Sequence, residues 1–433
     1  MKPKTNTNII FFAIIAVCLN GGSHYRRLQA QNTPSTIVSE NESFMDGKLP
    51  EFLTSGKANV NSLLRYEYAD IDSFGGGPDP KESNALTLRT RLGYTTGILA
   101  GFKGMLEFEN VTSINGEDQY NPAGLNPDSR DRSVIADPEA TEVNRVWLAY
   151  DNWDTQFKFG RQRIVLDGAR FIGNVVWRQN EQTFDAFSIR NNKLLPNTKL
   201  FYAHLFGIHR ILGDDHPAGN WESDSHIFNA SWKINNALNL TGYGYLLDLE
   251  DSPRVSSSTY GLSLDGKHSF NEDWSGNFKA EYATQSDYGD NPVDYTAPYI
   301  HTILGAAYKK VNFGVGYEML ASDDGEIGFS TPLATAHKFN GWADAWLSTP
   351  ANGLDDKYVW VGYKFPKEIP VKIIYHDFSS EDGNQDYGEE INMIATKKLG
   401  KYFSLLAKGA IYQDGDAGRA GRTRYWLQVG FDF

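Results

Sequence analysis

The residue types that most often carry out catalysis are present in this chain, but they do not stand in a catalytic pattern. The 433 residues include nine histidines and one cysteine. Neither a Gly-x-Ser-x-Gly nucleophile turn nor a His-Glu-x-x-His zinc motif occurs. His204, His209 and His376 are isolated on segments that alternate like strands, and Cys18 lies in an apolar run near the N-terminus. We therefore expect no enzyme, no cofactor and no metal site.

Basic side chains are the stronger chemical signal, because they lie at the centres of strand-like segments. Leu88 and Leu92 share one face of such a segment, while Arg89 and Arg91 share the other. In a membrane-spanning strand, charges at the centre are expected to face a water-filled interior. The inward basic set predicted in this way comprises Arg65, Arg89, Arg91, Arg145, Lys158, Arg190, Lys279, Lys372, Lys408 and Arg424. The acids predicted to share the interior are Glu67, Glu107, Glu109 and Glu281.

A guanidinium group matches a carboxylate with paired hydrogen bonds, so a pore lined by arginine is expected to favour anions. A ladder of salt bridges with the inward glutamates, which would stiffen the wall, is the alternative use of the same residues. The sequence leaves both uses open, and one arrangement can serve both.

The elements that position these residues are short strands whose connections alternate in length. Long connections are rich in Gly, Asp, Asn and Pro, as in 72–82, 113–139 and 321–354. This alternation predicts an all-β, antiparallel transmembrane β-barrel of about 18 strands with short periplasmic turns and long extracellular loops. The tight turns are expected near residues 96–97, 151–154, 191–196, 235–236, 271–273, 309–310, 366–367 and 399–400.

The two ends of the chain carry export and assembly signals. Lys2 and Lys4 precede an apolar run, which predicts a signal peptide over 1–30. The remainder divides into an N-terminal periplasmic extension, 31–57, and an outer-membrane barrel, 58–433. Phe433 ends an alternating strand, as in the signal read by the barrel assembly machinery, which we therefore expect as a partner.

Charge and composition exclude some partners and favour others. The chain carries 41 basic and 54 acidic residues, with a net charge of −13, which argues against nucleic acid as a partner. Aromatic residues make up 13% of a chain whose mean hydropathy is −0.46. Strands that alternate lipid-facing and water-facing side chains give this mixture, so outer-membrane lipid and lipopolysaccharide are the expected surroundings.

Two blocks of sequence resemble the alginate-export family of outer-membrane porins. The first runs through Gly160-Arg161-Gln162, Arg170-Phe171-Ile172-Gly173 and Trp177-Arg178-Gln179, and the second is 337–344. The resemblance implies an 18-stranded barrel whose arginine-rich lumen passes anionic polysaccharide or smaller anions.

The resemblance also implies roles for particular residues. It places Arg161, Arg163, Arg170 and Arg178 at the constriction as carboxylate binders, with Asp167 as the group that orients them. The alternative is that Asp167 and Arg170 only pin a loop folded into the lumen. Trp177 and Trp342 are candidates for stacking on sugar rings, or else they are packing anchors.

These features together predict a passive, anion-selective porin for anionic polysaccharide, oligouronates or small anionic solutes. A non-conducting structural or adhesive barrel is the alternative from a different class, and an outer-membrane hydrolase is a weaker one. Neither the solute nor the direction of transport follows from the sequence.

Overall fold

The computed structural model describes residues 50–73 and 77–433, so the predicted signal peptide and most of the N-terminal extension lie outside the described residues. Strands dominate this part of the chain. A small hairpin, β14 and β15, stands apart from a sheet of 18 strands. The strands are β1 (Lys57–Ile71), β2 (Ser83–Thr95), β3 (Phe102–Ser113), β4 (Ala140–Asn152), β5 (Thr155–Gln162), β6 (Thr183–Asn191), β7 (Thr198–His209), β8 (Asn220–Lys233), β9 (Leu238–Leu247), β10 (Ser257–Ser269), β11 (Trp274–Asp287), β12 (Thr296–Tyr308), β13 (Val311–Leu320), β14 (Ser322–Asp323), β15 (Ile327–Gly328), β16 (Leu354–Phe365), β17 (Ile369–Ser379), β18 (Asp386–Leu399), β19 (Phe403–Gln413) and β20 (Arg422–Asp432).

The large sheet closes on itself. Each strand pairs antiparallel with its neighbours in the chain, and β1 pairs with both β2 and β20. Backbone hydrogen bonds between Val60 and Phe433, 2.9 and 3.0 Å long, join the first strand to the last residue. Closure leaves no open edge, so every strand can satisfy its backbone groups inside lipid. The prediction of a barrel of about 18 strands is confirmed.

The positions of the tight turns are also confirmed. The turn between β4 and β5 consists of Trp153 and Asp154, which both have positive φ angles, 50° and 56°. Two such residues make the type of hairpin turn whose twist matches that of the flanking strands. The long connections, among them 163–182 and 321–353, all lie at the opposite end of the barrel.

The period-2 alternation of the sequence becomes an apolar outside and a polar inside. Leu64 and Leu92 are exposed on the outer face, whereas the adjacent residues Arg65 and Arg91 are buried within the barrel. Lipid selects this pattern because an apolar side chain costs nothing there and a charge costs several kcal/mol, about 2 to 4 at the midplane.

Aromatic pairs mark the periplasmic end of the outer surface. The rings of Phe102 and Tyr150 lie 4.6 Å apart, and those of Trp274 and Tyr308 lie 4.7 Å apart, next to short turns. Amphipathic rings are favoured where lipid headgroups begin, so these pairs fix the barrel at the membrane boundary.

One short helix precedes the barrel. The helix α1 (Glu51–Thr54) packs against the turn between β2 and β3, where the Gly97 amide donates to the Phe52 carbonyl over 2.7 Å. No helix in residues 50–73 and 77–433 is long and apolar enough to cross a membrane.

Candidate functional site

The connection 163–182 crosses the interior of the barrel. It leaves β5, yet the Gln179 side chain donates to Thr87 Oγ1 on β2 over 2.7 Å. Arg170 in the same connection lies 2.7 Å from Glu318 on β13. Because β13 is far from both β2 and β5 in the strand order, a segment that touches all three traverses the lumen.

A second long connection, 321–353, enters the lumen and pairs with the first. The Gly173 amide donates to the Leu333 carbonyl over 2.9 Å, and the Thr335 amide donates to the Ala169 carbonyl over 3.0 Å. The approach is close enough that a Cβ on Gly173 would lie 2.3 Å from the Thr335 hydroxyl, so glycine is required there. The two sequence blocks singled out above are therefore one structural unit, which we call the double-loop plug (163–182 and 321–353).

Arg178 is the centre of the ionic contacts that attach the plug to the wall. Its guanidinium lies 3.1 Å from Glu67 on β1, 3.6 Å from Asp137 and 2.8 Å from Asp344 of the other loop. All four side chains are buried. A buried guanidinium needs acidic partners to offset the loss of hydration, and three carboxylates supply them here.

Two wall arginines complete this cluster. Arg65 on β1 pairs with Asp137 at 3.2 Å, and Arg424 on β20 pairs with Glu67 at 3.0 Å. Arg424 also donates to the Ala343 carbonyl over 3.0 Å, which ties the second loop to the wall. Predicted as pore-lining, both residues do face the interior, but as structural members of a buried network.

A second cluster surrounds Glu181 at the end of the first loop. Arg163 donates to it over 2.8 Å, and Arg91 lies 3.7 Å away while also pairing with Glu109. Burial works against ionisation of Glu181, but Arg91 and Arg163 outweigh it and lower its pKa to about 2. The carboxylate is therefore charged throughout the ordinary pH range and holds the two guanidinium groups together. A separate pair lies nearby, in which Arg145 on β4 binds Glu107 on β3 at 2.7 Å.

Asp167 does not orient an arginine, which corrects the role that the resemblance implied. Arg170 instead pairs with Glu318 and donates to Asn340 Oδ1 over 3.0 Å. Asp167 accepts hydrogen bonds from Tyr245, over 2.9 Å, and from Asn229. Asp167 and Arg170 therefore attach the first loop to two different sides of the wall. This is the alternative role, holding a loop in the lumen, that the sequence left open for them.

Trp177 packs between protein groups, so a stacking role toward sugars is not supported for it. Its ring stacks on His337 of the second loop at 4.4 Å, with the Arg65 guanidinium 4.7 Å from its centre. Trp342 likewise faces a protein cation, the Lys408 ammonium at 4.0 Å. These contacts make the two tryptophans anchors of the plug.

The histidine of this stack is neutral. Burial lowers the pKa of His337 to about 3. In the neutral ring Nδ1 donates to Asp344 over 2.6 Å, which leaves Nε2 to accept from the Lys408 ammonium over 2.7 Å. Through these two hydrogen bonds the ring connects Lys408 on the wall strand β19 to Asp344 in the second loop.

Arg161 lies on the outer side of the wall, which corrects its predicted place at the constriction. The strand register pairs it with Val146 and Asp185, and it shares a face with Phe159, which is exposed on the outer surface. Its guanidinium donates to the Val143 carbonyl over 2.9 Å, at a level where β5 has already ended. Arg161 therefore binds the neighbouring wall strand beyond the end of the short strand β5, and it does not point into the lumen.

Several basic side chains of the inner wall are not matched with acids. Arg89 donates to the Asn61 amide oxygen over 2.6 Å, Lys158 lies over the Trp147 ring at 4.6 Å, and Arg190 lies over the Phe201 ring at 5.5 Å. Within residues 50–73 and 77–433 none of the three basic groups forms a salt bridge. Lys158 and Arg190 stand near the short turns, so the periplasmic half of the lumen carries uncompensated positive charge.

Lys279 differs from these groups. Its ammonium lies 3.1 Å from Glu281 and 3.7 Å from Asp265 on the inner wall, so its charge is matched there.

An open cavity of about 560 Å³ lies on the extracellular side of the plug. Arg178 and Arg424 form part of its floor, while Arg210 and Arg254 line its side. Arg254 is exposed, and Arg210 covers the Trp221 ring at 3.9 Å. The exposed Glu326 lines the same cavity, so a solute that enters from outside meets both basic and acidic groups there.

Alternation in the strands correctly placed Glu67 and Glu109 in the lumen, but four other acids of the site were not predicted. Asp137, Glu181, Glu318 and Asp344 hold the predicted arginines, and three of these four acids lie in loops. Alternation assigns faces only within strands, so no signal in the sequence placed the loop acids in the lumen. The two family-like blocks were the available indications, because Glu181 lies close to the first block and Asp344 is the last residue of the second.

Solved outer-membrane channels share this architecture. Pseudomonas aeruginosa OccK9 (OpdG) has 15% sequence identity, with 89% of this chain and 100% of that chain covered and a TM-score of 0.70. P. aeruginosa OccK1 (OpdK) has 14% identity, with 88% and 99% covered and a TM-score of 0.68. Acinetobacter baumannii OccAB4 has 15% identity, with 89% of this chain and 100% of that chain covered and a TM-score of 0.67.

These likenesses show the fold, which is that of outer-membrane porins. With the apolar outer surface and its aromatic rows, it assigns the chain to the outer membrane. No model of a known protein family matches the chain, and no curated protein matches it in sequence. The resemblance to the alginate-export family therefore rests on the two sequence blocks alone.

Proposed function

We propose that the protein is a passive outer-membrane porin that prefers anionic solutes. The observation that carries the proposal is the difference between matched and unmatched charges in the lumen. The buried acids Glu67, Glu107, Glu109 and Glu318 are each paired with arginine. Lys158 and Arg190 have no acidic partner among the described residues, so the field at their periplasmic level of the lumen is positive. The carboxylates of Asp167 and Glu390 also lack a lysine or arginine partner in the described part of the chain, but they accept hydrogen bonds at the level of the plug.

The path has three levels in this proposal. Two cations at the extracellular cavity, the exposed Arg254 and the half-buried Arg210, raise the local concentration of anions. The double-loop plug narrows the lumen, and its buried arginines Arg170 and Arg178 are already paired with acids, so a passing carboxylate must compete with those acids for them. Below it, Lys158 and Arg190 attract the solute toward the periplasmic mouth.

The substrate class that we propose is carboxylate-bearing: oligouronates, anionic polysaccharide or small organic anions. The resemblance to alginate-export porins supports the saccharide end of this range. One of the similar structures, P. aeruginosa OpdK, was solved with vanillate, which is a small carboxylate, and this supports the other end.

A non-conducting structural barrel is the second candidate, because the double-loop plug spans the lumen between β2 and β13. The solved proteins with the same fold are channels, which supports conduction and agrees with the prediction that the chain is not an enzyme.

Planar-bilayer recording of the full-length mature protein separates these candidates. We expect single-channel steps that oligouronates block in a concentration-dependent manner, whereas neutral oligosaccharides of the same length do not. Equal block by both kinds of saccharide would contradict the proposed preference. A folded barrel without any steps would favour the structural role.

The partners predicted from the sequence stay proposals of the same kind. We propose that lipopolysaccharide surrounds the outer surface, and that Phe433 is read by the barrel assembly machinery. The Phe433 side chain is exposed beside Tyr402, with ring centres 5.5 Å apart, although its backbone belongs to the closed sheet.

A further inference from the structure

Two histidines face each other on the outer surface of the barrel, away from the lumen. His204 on β7 pairs directly with His226 on β8, and their rings stack with centres 4.8 Å apart. The residues that alternate with them, Ala203, Leu205 and Ile227, are fully buried on the inner side. Both imidazoles therefore point outward, near the extracellular end of the wall.

An aspartate completes a three-residue group. Asp224 Oδ1 lies 2.7 Å from His204 Nε2 and 4.0 Å from His226 Nε2. The register between β7 and β8 shifts between Leu205 and Gly207, and this bulge lies beside Asp224. One ligand atom from each of His204, Asp224 and His226 can be chosen so that all three lie within 4.8 Å of one another.

Tyr202 fixes the orientation of one imidazole. Its hydroxyl lies 3.0 Å from His226 Nδ1. When Nδ1 donates its hydrogen to the tyrosine oxygen, Nε2 keeps a free lone pair that points toward Asp224. Metal-ligating histidines in proteins are commonly held by such a hydrogen bond from the second ring nitrogen.

The electrostatic surroundings favour a cation here. Within residues 50–73 and 77–433, Asp224 forms no salt bridge with lysine or arginine. Burial, and then the carboxylates of Asp290 and Asp224, raise the pKa of Asp248 in the adjoining loop, so negative charge collects at this rim. The neighbouring Asp185 differs, because Arg161 already neutralises it at 3.1 Å.

We propose that His204, Asp224 and His226 bind a divalent transition metal of the zinc class on the outer face of the barrel. Imidazole nitrogens with one carboxylate suit zinc, copper and nickel, whereas magnesium and calcium prefer oxygen ligands throughout. Three protein ligands leave a tetrahedral metal one further position, which faces away from the wall and takes water.

Calorimetric titration of the folded, untagged full-length mature barrel with zinc chloride tests this proposal. We expect one saturable site in the wild type, and no saturable binding of magnesium. Asp224→Asn and the double variant His204→Gln with His226→Gln should weaken zinc binding by at least about tenfold. Tyr202→Phe, which removes only the orienting hydroxyl, should weaken it by about 10- to 100-fold.

His268→Gln is the matched control, because His268 is an exposed strand histidine outside the group. Its zinc affinity should equal that of the wild type, and heat-modifiable gel mobility verifies that each variant is folded. Absence of a saturable zinc site in the wild type would overturn the proposal. Zinc affinity unchanged in both Asp224→Asn and the double variant would overturn it as well.

Discussion

The guanidinium of Arg178 lies 3.1 Å from the carboxylate of Glu67, and both side chains are buried in the lumen. Arg178 belongs to the loop 163–182, while Glu67 belongs to the first strand of the wall. The contact therefore joins a segment that must enter the barrel to a segment that closes it. Glu67 also binds Arg424 on the last strand, so one carboxylate connects the plug with both sides of the closure.

Substitution Glu67→Gln should destabilise the folded barrel strongly. The change leaves Arg424 without its acidic partner in a buried site, while Arg178 keeps Asp137 and Asp344, and an unmatched buried charge costs about 3 to 5 kcal/mol. Guanidinium titration followed by tryptophan fluorescence should show this decrease in the free energy of unfolding. Glu272→Gln in an exposed periplasmic turn is the control, expected within about 0.5 kcal/mol of wild type. Equal stability of both variants would contradict the assigned role of Glu67.

Arg170 and Glu318 should be coupled energetically, because they form a buried pair 2.7 Å long between the first loop and β13. In a double-mutant cycle with Arg170→Gln and Glu318→Gln, the coupling energy should be about 1 to 3 kcal/mol. Measured unfolding free energies of the four proteins give this value. Additive effects within about 0.3 kcal/mol would show that the loop does not depend on this contact.

The contribution of Glu181 should depend on pH only under acidic conditions. Its pKa is lowered from 4.5 to about 2, so the folded state binds its proton less readily than the unfolded state. The stabilisation is therefore complete above pH 4.5 and is lost as the pH falls toward 2, with a total of about 3 kcal/mol.

The measurement compares unfolding of the wild type and of Glu181→Gln at several pH values. The stability difference should be constant from pH 8 to about pH 5 and should shrink between about pH 4.5 and pH 2. A difference that changes most between pH 6 and pH 8 would point to a titrating group other than Glu181.

Much of the fold was predictable because lipid imposes a simple rule on every strand. Outward positions must be apolar, so alternation in segments such as 84–96 locates strands and assigns Arg89 and Arg91 to the interior. The short connections between such segments then locate the hairpin ends, although the positive φ angle of Trp153 does not follow from its residue type. Closure with 18 strands follows from counting these segments and from the parity of short and long connections.

The candidate site was predictable in the arginines and glutamates that strands carry, but not in the acids that loops carry. Arg161 shows one limit, since it lies two residues after the outward-facing Phe159 and its strand ends at Gln162, where a guanidinium can turn sideways into the wall. Asp344 shows another limit. It lies in an irregular loop whose path depends on pairing with a second loop, and neither alternation nor composition encodes that pairing.

The most direct test of the central claim is the reversal potential of single channels under a salt gradient. We expect the wild type to show anion preference, and Lys158→Gln with Arg190→Gln to shift the potential toward that of a non-selective pore. The control, Lys309→Gln with Lys310→Gln in an exposed periplasmic turn, removes the same charge and should leave the potential unchanged. Cation preference in the wild type, or equal potentials in wild type and the Lys158/Arg190 variant, would contradict an anion path formed by the unmatched basic groups of the inner wall.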